Sequence, residues 1–285
     1  MGLLEEFPPM TGQQTAPTFD LQSHSTYSDG TLPPAEVVKR AEQAGVRLFA
    51  LTDHDTVDGV AEALSAAGDT RVIPAVELSA VHGAYEDLHI LGYGLDHTDP
   101  QLLATLEDFR ADRARRIHAM ADNLRARGFT IDPGRLRHDS PGRPHVATAL
   151  LEDNALSMTR DEVFSAYLVP GTPTYVARAR PTVAEAIEVI HRAGGLAVWA
   201  HPYWDVDRAA DALREFTGYG LDGVEAFYVT HTEAQTRELY ALARQLRLIT
   251  TGSTDFHGPA HDHFNRFLGF DLHGLEPDLG RLVEN

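Results

Sequence analysis

The chain has 285 residues, 43% of them hydrophobic, so it can bury a full core and reads as one large α/β domain or a domain with an insert. It has no cysteine, which excludes disulfides, thiolate metal sites and a cysteine nucleophile and leaves nitrogen and oxygen to hold any metal. A formal charge of −18 argues against a basic surface for long nucleic acid, and no apolar run approaches the roughly 20 residues of a membrane span, so a cytoplasmic protein is expected.

Residues 1–17 are acidic and proline-bearing, lack an apolar core of export length, and are expected to form a disordered tail. In residues 18–98 a short strand at Phe19-Asp20-Leu21 runs into the polar stretch QSHSTYSDG. Then come a helix ending at Gly45, the strand VRLFALTDHD, a helix ending at Gly68, and the strands RVIPAVELSA and LHILGYGLD. Residues 99–174 read as a helical insert, one long helical pattern followed by PHVATALLEDN and TRDEVFSAYLVPG. In residues 175–285 helices alternate again with the strands LAVWAHP, LDGVEAFYV and LITTGSTDFHG. Repetition of strand, polar end and helix is the sequence form of a parallel α/β architecture.

The polar residues gather where strands end. His24, Asp29, Asp53, His54, Glu77, His89, His201, Asp255 and His257 each read as lying at or just past the C-terminal side of a strand, the edge where parallel α/β folds build sites. One such histidine is unremarkable; this many on different strands points to a multinuclear metal site. Imidazole and carboxylate suit Zn²⁺, Mn²⁺ or Fe²⁺, and a carboxylate such as Glu77 can bridge two ions. Ions a few ångströms apart clamp a phosphate, acidify water and stabilise a leaving oxygen, which is phosphoester hydrolysis without a protein nucleophile.

Other residues take plainer readings. The arginine cluster Arg110 to Arg116 reads as a solvated helix face with i,i+4 ion pairs, although arginine also suits forked recognition of phosphate. His82, His97, His118, His138, His191, His231 and His273 have no partners at ligand spacing, His261 to His263, close after the Asp255 and His257 strand, read as a solvated loop with the rim of the site as the alternative, and Trp199 as core.

At DLQSHSTYSDG, LTDHDT, AVELSA, LHILGYG, WAHPYW and GSTDFHG, in order over residues 19–258, the sequence resembles the PHP family, named for polymerase and histidinol phosphatase domains. The resemblance implies a distorted seven-stranded β/α barrel, TIM-like, with a small helical insert and a trinuclear site in its mouth. By position, Gln22, His24, Glu77 and Asp255 would hold one ion, Asp29, His54 and His257 a second, and Glu77, His89 and His201 a third. Asp53 would orient a histidine or a coordinated water, and Asp53 and His201 are the implied catalytic residues. Gln22 stands where the family has histidine, and its amide oxygen is the weaker ligand. It leaves three readings: ligation by that oxygen, a partly filled or two-metal site, or an inactivated one.

The insert resembles the subgroup that dephosphorylates nucleotides carrying 3′ and 5′ phosphates or trims short RNA from its 5′ end. Arg116, Arg143 and His145 would close over a substrate phosphate, and Tyr175 would touch the nucleoside or pack under the insert. The expected function is a metal-dependent phosphoesterase that attacks a phosphomonoester of a small nucleotide with metal-bound hydroxide. It would use two or three divalent Mn, Fe or Zn ions and need no obligate protein partner. Alternatives are an exonuclease on short 5′-phosphorylated RNA, a histidinol-phosphate-type phosphatase, and a metal-poor PHP module that binds without catalysis.

Overall fold

Proline at the first helical position starts α1 (Pro34–Gln43), where its missing N–H costs nothing. Val37, Val38 and Ala41 then repeat at helical spacing and pack with Phe49 and Leu51 of β2 (Leu48–Leu51). The same construction recurs around the molecule. The computed structural model describes residues 16–284 except 205 and 207. Most of the expected disordered tail, residues 1–15, lies outside the described residues.

Seven strands form one sheet in chain order: β1 (Phe19–Asp20), β2, β3 (Arg71–His82), β4 (Tyr85–Tyr93), β5 (Leu196–Trp199), β6 (Gly223–Tyr228) and β7 (Ile249–Ser253). The sheet curls until Leu21, just past β1, donates its N–H to the Gly252 carbonyl of β7 at 3.1 Å, and Ser23 bridges Phe256. The Tyr93 hydroxyl reaches the Leu21 carbonyl at 2.8 Å. The fold is a distorted, nearly closed seven-stranded β/α barrel.

The strands are not all parallel, as the alternating pattern had suggested. β4 runs antiparallel to both β3 and β5. The reason lies in the connection: only Gly83 and Ala84 separate His82 from Tyr85, with Gly83 at φ +57°, whereas a parallel crossover needs a dozen residues or more. Strand alternation then turns Glu77, Ser79 and His89 to the barrel interior and Leu78 and Ile90 outward, where each buried side chain contributes about 1.5–3 kcal/mol.

The helix α3 (Pro100–Arg125) begins at Asp99, whose carboxylate accepts from the N–H groups of Gln101 and Leu102. Its first half, through Leu102, Leu106 and Phe109, belongs to the barrel core. Its second half, through Ile117, Met120, Ala121 and Leu124, joins a separate apolar cluster with Val146, Ala147, Ala149 and Leu150 of α4 (Arg143–Asn154) and with Val163 and Leu168. Trp199 is 1% exposed and meets Phe216 edge-on at 4.9 Å, as its place in β5 suggested. Among the described residues no helix is long and apolar enough to cross a membrane.

Candidate metal centre

Beyond β1 the chain turns back on itself at Gly30, where a Cβ would stand 2.3 Å from the His24 carbonyl oxygen; only glycine fits. That turn sets Asp29 Oδ1 3.6 Å from His24 Nδ1. His54 follows β2, His201 follows β5, and Asp255 and His257 follow β7, while Glu77 sits mid-strand in β3. His89 lies at the midpoint of β4, not at the C-terminal side read from the sequence; pairing opposite Ser79 on the reversed strand brings it to the same barrel mouth. His201 at φ +30° and Asp255 at φ +53° hold left-handed backbone, a conformation concentrated at functional sites.

Glu77 is the hub. Its Oε1 lies 2.8 Å from His89 Nδ1 and 3.4 Å from His201 Nε2, and its Oε2 lies 3.0 Å from His24 Nε2 and 3.5 Å from His54 Nδ1. Asp255 Oδ1 is 3.1 Å from His24 Nε2, and Asp29 faces His54 at 3.7 Å and His257 at 3.5 Å. Three sets each place one ligand atom per residue within 4.8 Å of the others: His24, Asp29, His54 and His257; His54, Glu77 and His89; His24, Glu77 and Asp255. His24 Nε2, Asp29 Oδ1, His54 Nδ1, Glu77 Oε2 and Asp255 Oδ1 are all buried without a hydrogen-bond partner. An unpartnered buried polar atom costs about 1–3 kcal/mol, so five converging on one point fit a site built for cations.

Within the cluster the histidines and carboxylates balance one another's charge. Burial opposes ionisation of Glu77, but His54, His89, His201 and His24 outweigh it and hold the carboxyl well below the usual range. Burial likewise opposes Asp255, where His257 and His24 win and bring it to about 2. Burial pushes His54 down to about 3, whereas His201, although burial opposes its charge, is drawn up to about 9 mainly by Glu77. Carboxylates that stay anionic while buried require positive charge beside them.

Neighbouring groups fix the orientations. His257 Nδ1 donates to the Asp255 carbonyl at 2.7 Å, which leaves Nε2 facing Asp29. The Tyr228 hydroxyl donates to Asp255 Oδ2 at 2.9 Å and frees Oδ1 for the cluster. Asp53 does not line the cavity: its carboxylate accepts from Ser25 N, Ser25 Oγ and Ser28 Oγ at 2.6–2.7 Å, and it reaches His24 only through Ser28, 3.3 Å from His24 Nδ1. Gln22 is fully buried outside the cavity wall, its amide oxygen turned to Ser253 Oγ at 3.4 Å. Its other amide atom is buried without a partner, and because the Ser253 hydroxyl can donate or accept, turning the amide over would present Oε1 there instead.

The cluster floors a cavity of about 570 Å³, a volume typical of small-molecule sites. One wall is cationic, with Arg113, Arg116, Arg143 and Arg178. This corrects the reading of Arg110 to Arg116 as a solvated face. Arg113 and Arg116, three residues apart and 5% and 6% exposed, point inward, while Arg115 points out to Asp112. Arg113 binds Asp55 Oδ2 at 2.9 Å and Ser79 Oγ at 2.7 Å. Arg116 donates Nε–H to the Val176 carbonyl, leaving Nη2 unpartnered, and Arg178 is buried with Nε unpartnered. Arg143 is paired with Asp87.

Two of the four expected substrate residues stand one layer back from the cavity. His145 accepts from Gly142 N at 2.9 Å and packs on His138 at the start of α4, and Tyr175 lies under the Arg116 guanidinium; neither lines the cavity. His261 and His263, expected in a solvated loop, do line it. The sequence reading missed Arg178, just after the insert, which no local pattern places at the cavity. It also missed Glu225, whose signal was legible: a carboxylate inside the otherwise apolar strand VEAFY. Burial pushes Glu225 up to about 8, and it accepts from Ser253 Oγ at 2.6 Å and His201 N at 2.8 Å.

The PHP domain model matches residues 20–90, which carry the first five cluster residues up to His89. A 3′,5′-nucleoside bisphosphate phosphatase of Chromobacterium violaceum is 36% identical over 84% of this chain and 87% of its own length. The chain belongs to the PHP family. A second PHP relative, the 5′-3′ exoribonuclease Rnm of Escherichia coli, is 35% identical and covers 88% of each chain. An amidohydrolase of C. violaceum, solved with sulfate bound, superposes on this PHP protein with a TM-score of 0.80 at 32% identity, covering 88% of this chain and 91% of the other.

Proposed function

We propose that this metal-dependent phosphoesterase of the PHP family hydrolyses a phosphomonoester on a small nucleotide that carries a second phosphate. The observation that carries the reading is the meeting, in one cavity, of five unpartnered buried donor atoms with two buried guanidinium groups that have N–H to spare. Names of the relatives point the same way, to nucleoside bisphosphates and RNA.

His24, Glu77 and Asp255 would hold one cation, Asp29, His54 and His257 a second, and Glu77, His89 and His201 a third. Manganese, iron or zinc bound there supplies positive charge against phosphate and makes water acidic enough to serve as nucleophile. The two oxygens of Glu77 face different histidines, which suits a bridging role. Arg116 and Arg178 offer N–H donors to phosphate oxygens, and their burial strengthens each such bond. Arg143, fixed by Asp87, adds charge without being free to wander. Asp53 acts through Ser28 on His24 and is a positioning residue.

The test is to strip the protein with chelator, reload it with Mn²⁺, and offer adenosine 3′,5′-bisphosphate, histidinol phosphate and a short 5′-phosphorylated RNA. Turnover of the bisphosphate is expected only after reloading. Turnover confined to RNA or to histidinol phosphate would replace the substrate assignment. No turnover by fully loaded protein would leave a binding module.

A further inference from the structure

We propose that Trp204, backed by Phe264, is a stacking platform for the base of the substrate, a subsite that rests on the nucleotide reading above. After β5 the chain makes a turn closed by Trp204 N donating to the His201 carbonyl at 2.9 Å. One turn thus serves two ends, His201 facing the cluster and Trp204 the mouth. Leu103, Trp204, Tyr219 and Val283 are the exposed large apolar side chains among the described residues, and of these Trp204 alone lines the cavity, 53% exposed. A single exposed apolar residue needs no explanation, but an indole at the mouth of a polar site does.

Trp204 does not stand alone. Its ring lies 5.8 Å from Phe264 and 6.4 Å from His201. Phe264 is buried, stacks on His261 at 5.0 Å, and lies 5.6 Å from His257 and 6.2 Å from Tyr228. The aromatic wall therefore reaches to within a ring's width of two candidate ligands. Arg113, Arg116, Arg143 and Arg178 form the cationic part of the same cavity.

The chemistry sorts the substrate between these surfaces. A phosphate held at the cluster fixes one end of a nucleotide, and a second phosphate seeks the guanidinium groups. The base has no charge to offer them and needs a flat apolar face. Indole supplies one, and because every base has a π face, the platform would accept bases broadly, purines best by area.

The experiment uses the full chain loaded with Mn²⁺ and compares adenosine 5′-monophosphate with ribose 5-phosphate, which lacks the base. Binding is followed by calorimetry and by tryptophan fluorescence, for which Trp199, buried in β5, is the silent reference. Wild type should bind the nucleotide more tightly and be quenched by it. In Trp204→Ala the ratio of the two affinities should fall by about 5- to 150-fold, and Trp204→Phe should keep most of it. Equal affinities in wild type, or an unchanged ratio in Trp204→Ala, overturn the platform. The wild-type comparison and the Phe variant decide the matter even if the alanine variant misfolds. Failure of the hydrolytic reading shows separately, as a loaded wild type that binds both compounds but turns over no phosphoester.

Discussion

Glu77 offers one oxygen to His89 and His201 and the other to His24 and His54, so its loss would be felt on both sides of the cluster. Glu77→Gln keeps the shape and removes the charge. Metal content by elemental analysis should fall by more than one ion per chain, and turnover by more than the roughly 10–100-fold that losing an outer partner costs. Retention of full metal content would refute the hub. Gln22→His runs the other way, placing an imidazole beside Ser253 where the family has one; it should raise metal content at limiting Mn²⁺, and unchanged content would show that the position is not part of the cage. Glu225 separates hydrogen bonding from charge. Glu225→Gln can still accept from His201 N and donate to Ser253, so it should change stability by less than about 1 kcal/mol. Glu225→Ala leaves both groups stranded and should cost about 2–4 kcal/mol in denaturant unfolding.

At the scale of elements, the contact between α3 and the barrel turns on a buried ion pair. Arg113 lies 2.9 Å from Asp55, which also accepts from Ser79 N, and Arg178 stands farther off at 3.9 Å. Arg113→Ala strands a buried carboxylate and should destabilise by about 3–5 kcal/mol, whereas the double variant with Asp55→Ala should cost less than the sum of the two single changes. Additive costs would mean the pair is not coupled. This pair was hidden in the sequence, because RADRARR carries charge all round the helix and only packing decides which arginines face in. The strands were legible from their apolar runs, and so were the cluster residues, because polar groups within those runs or at their ends stand out against them. The direction of β4 was not, since the hairpin at Gly83 falls in a stretch, VHGAYED, whose polar residues read as loop. The places of His145, bonded to Gly142 of the cavity wall, and of Tyr175, stacked behind Arg116, were hidden for a related reason: they depend on how the helices there pack, and no local pattern records that.

For the whole molecule, the charge of −18 looks different once the cluster is drawn. The Asp29, Glu77 and Asp255 side chains are buried together, and cations there would offset part of the total while tying the ends of β1, β2 and β7 to β3 and β4. Binding at 100 times Kd adds about 2.7 kcal/mol to stability, which for a chain of this size is about 4–5 °C. Chelation should lower Tm by that order and Mn²⁺ should restore it. An unchanged Tm, with metal loss verified by elemental analysis, would show that the barrel mouth holds its shape without cations.

The single reversed strand also decides which side of the barrel the insert occupies. A strand that ran with its neighbours would deliver the chain at the mouth, and the next helix would descend, away from the chemistry. Because β4 descends, α3 must climb, and 26 residues at about 1.5 Å each give it some 39 Å of travel. Leucines and a phenylalanine grip the barrel wall on the way up; arginines arrive at the rim; the remaining turns overshoot and become the roof. One two-residue hairpin thereby converts an ordinary barrel helix into the mast from which the lid of the site is hung.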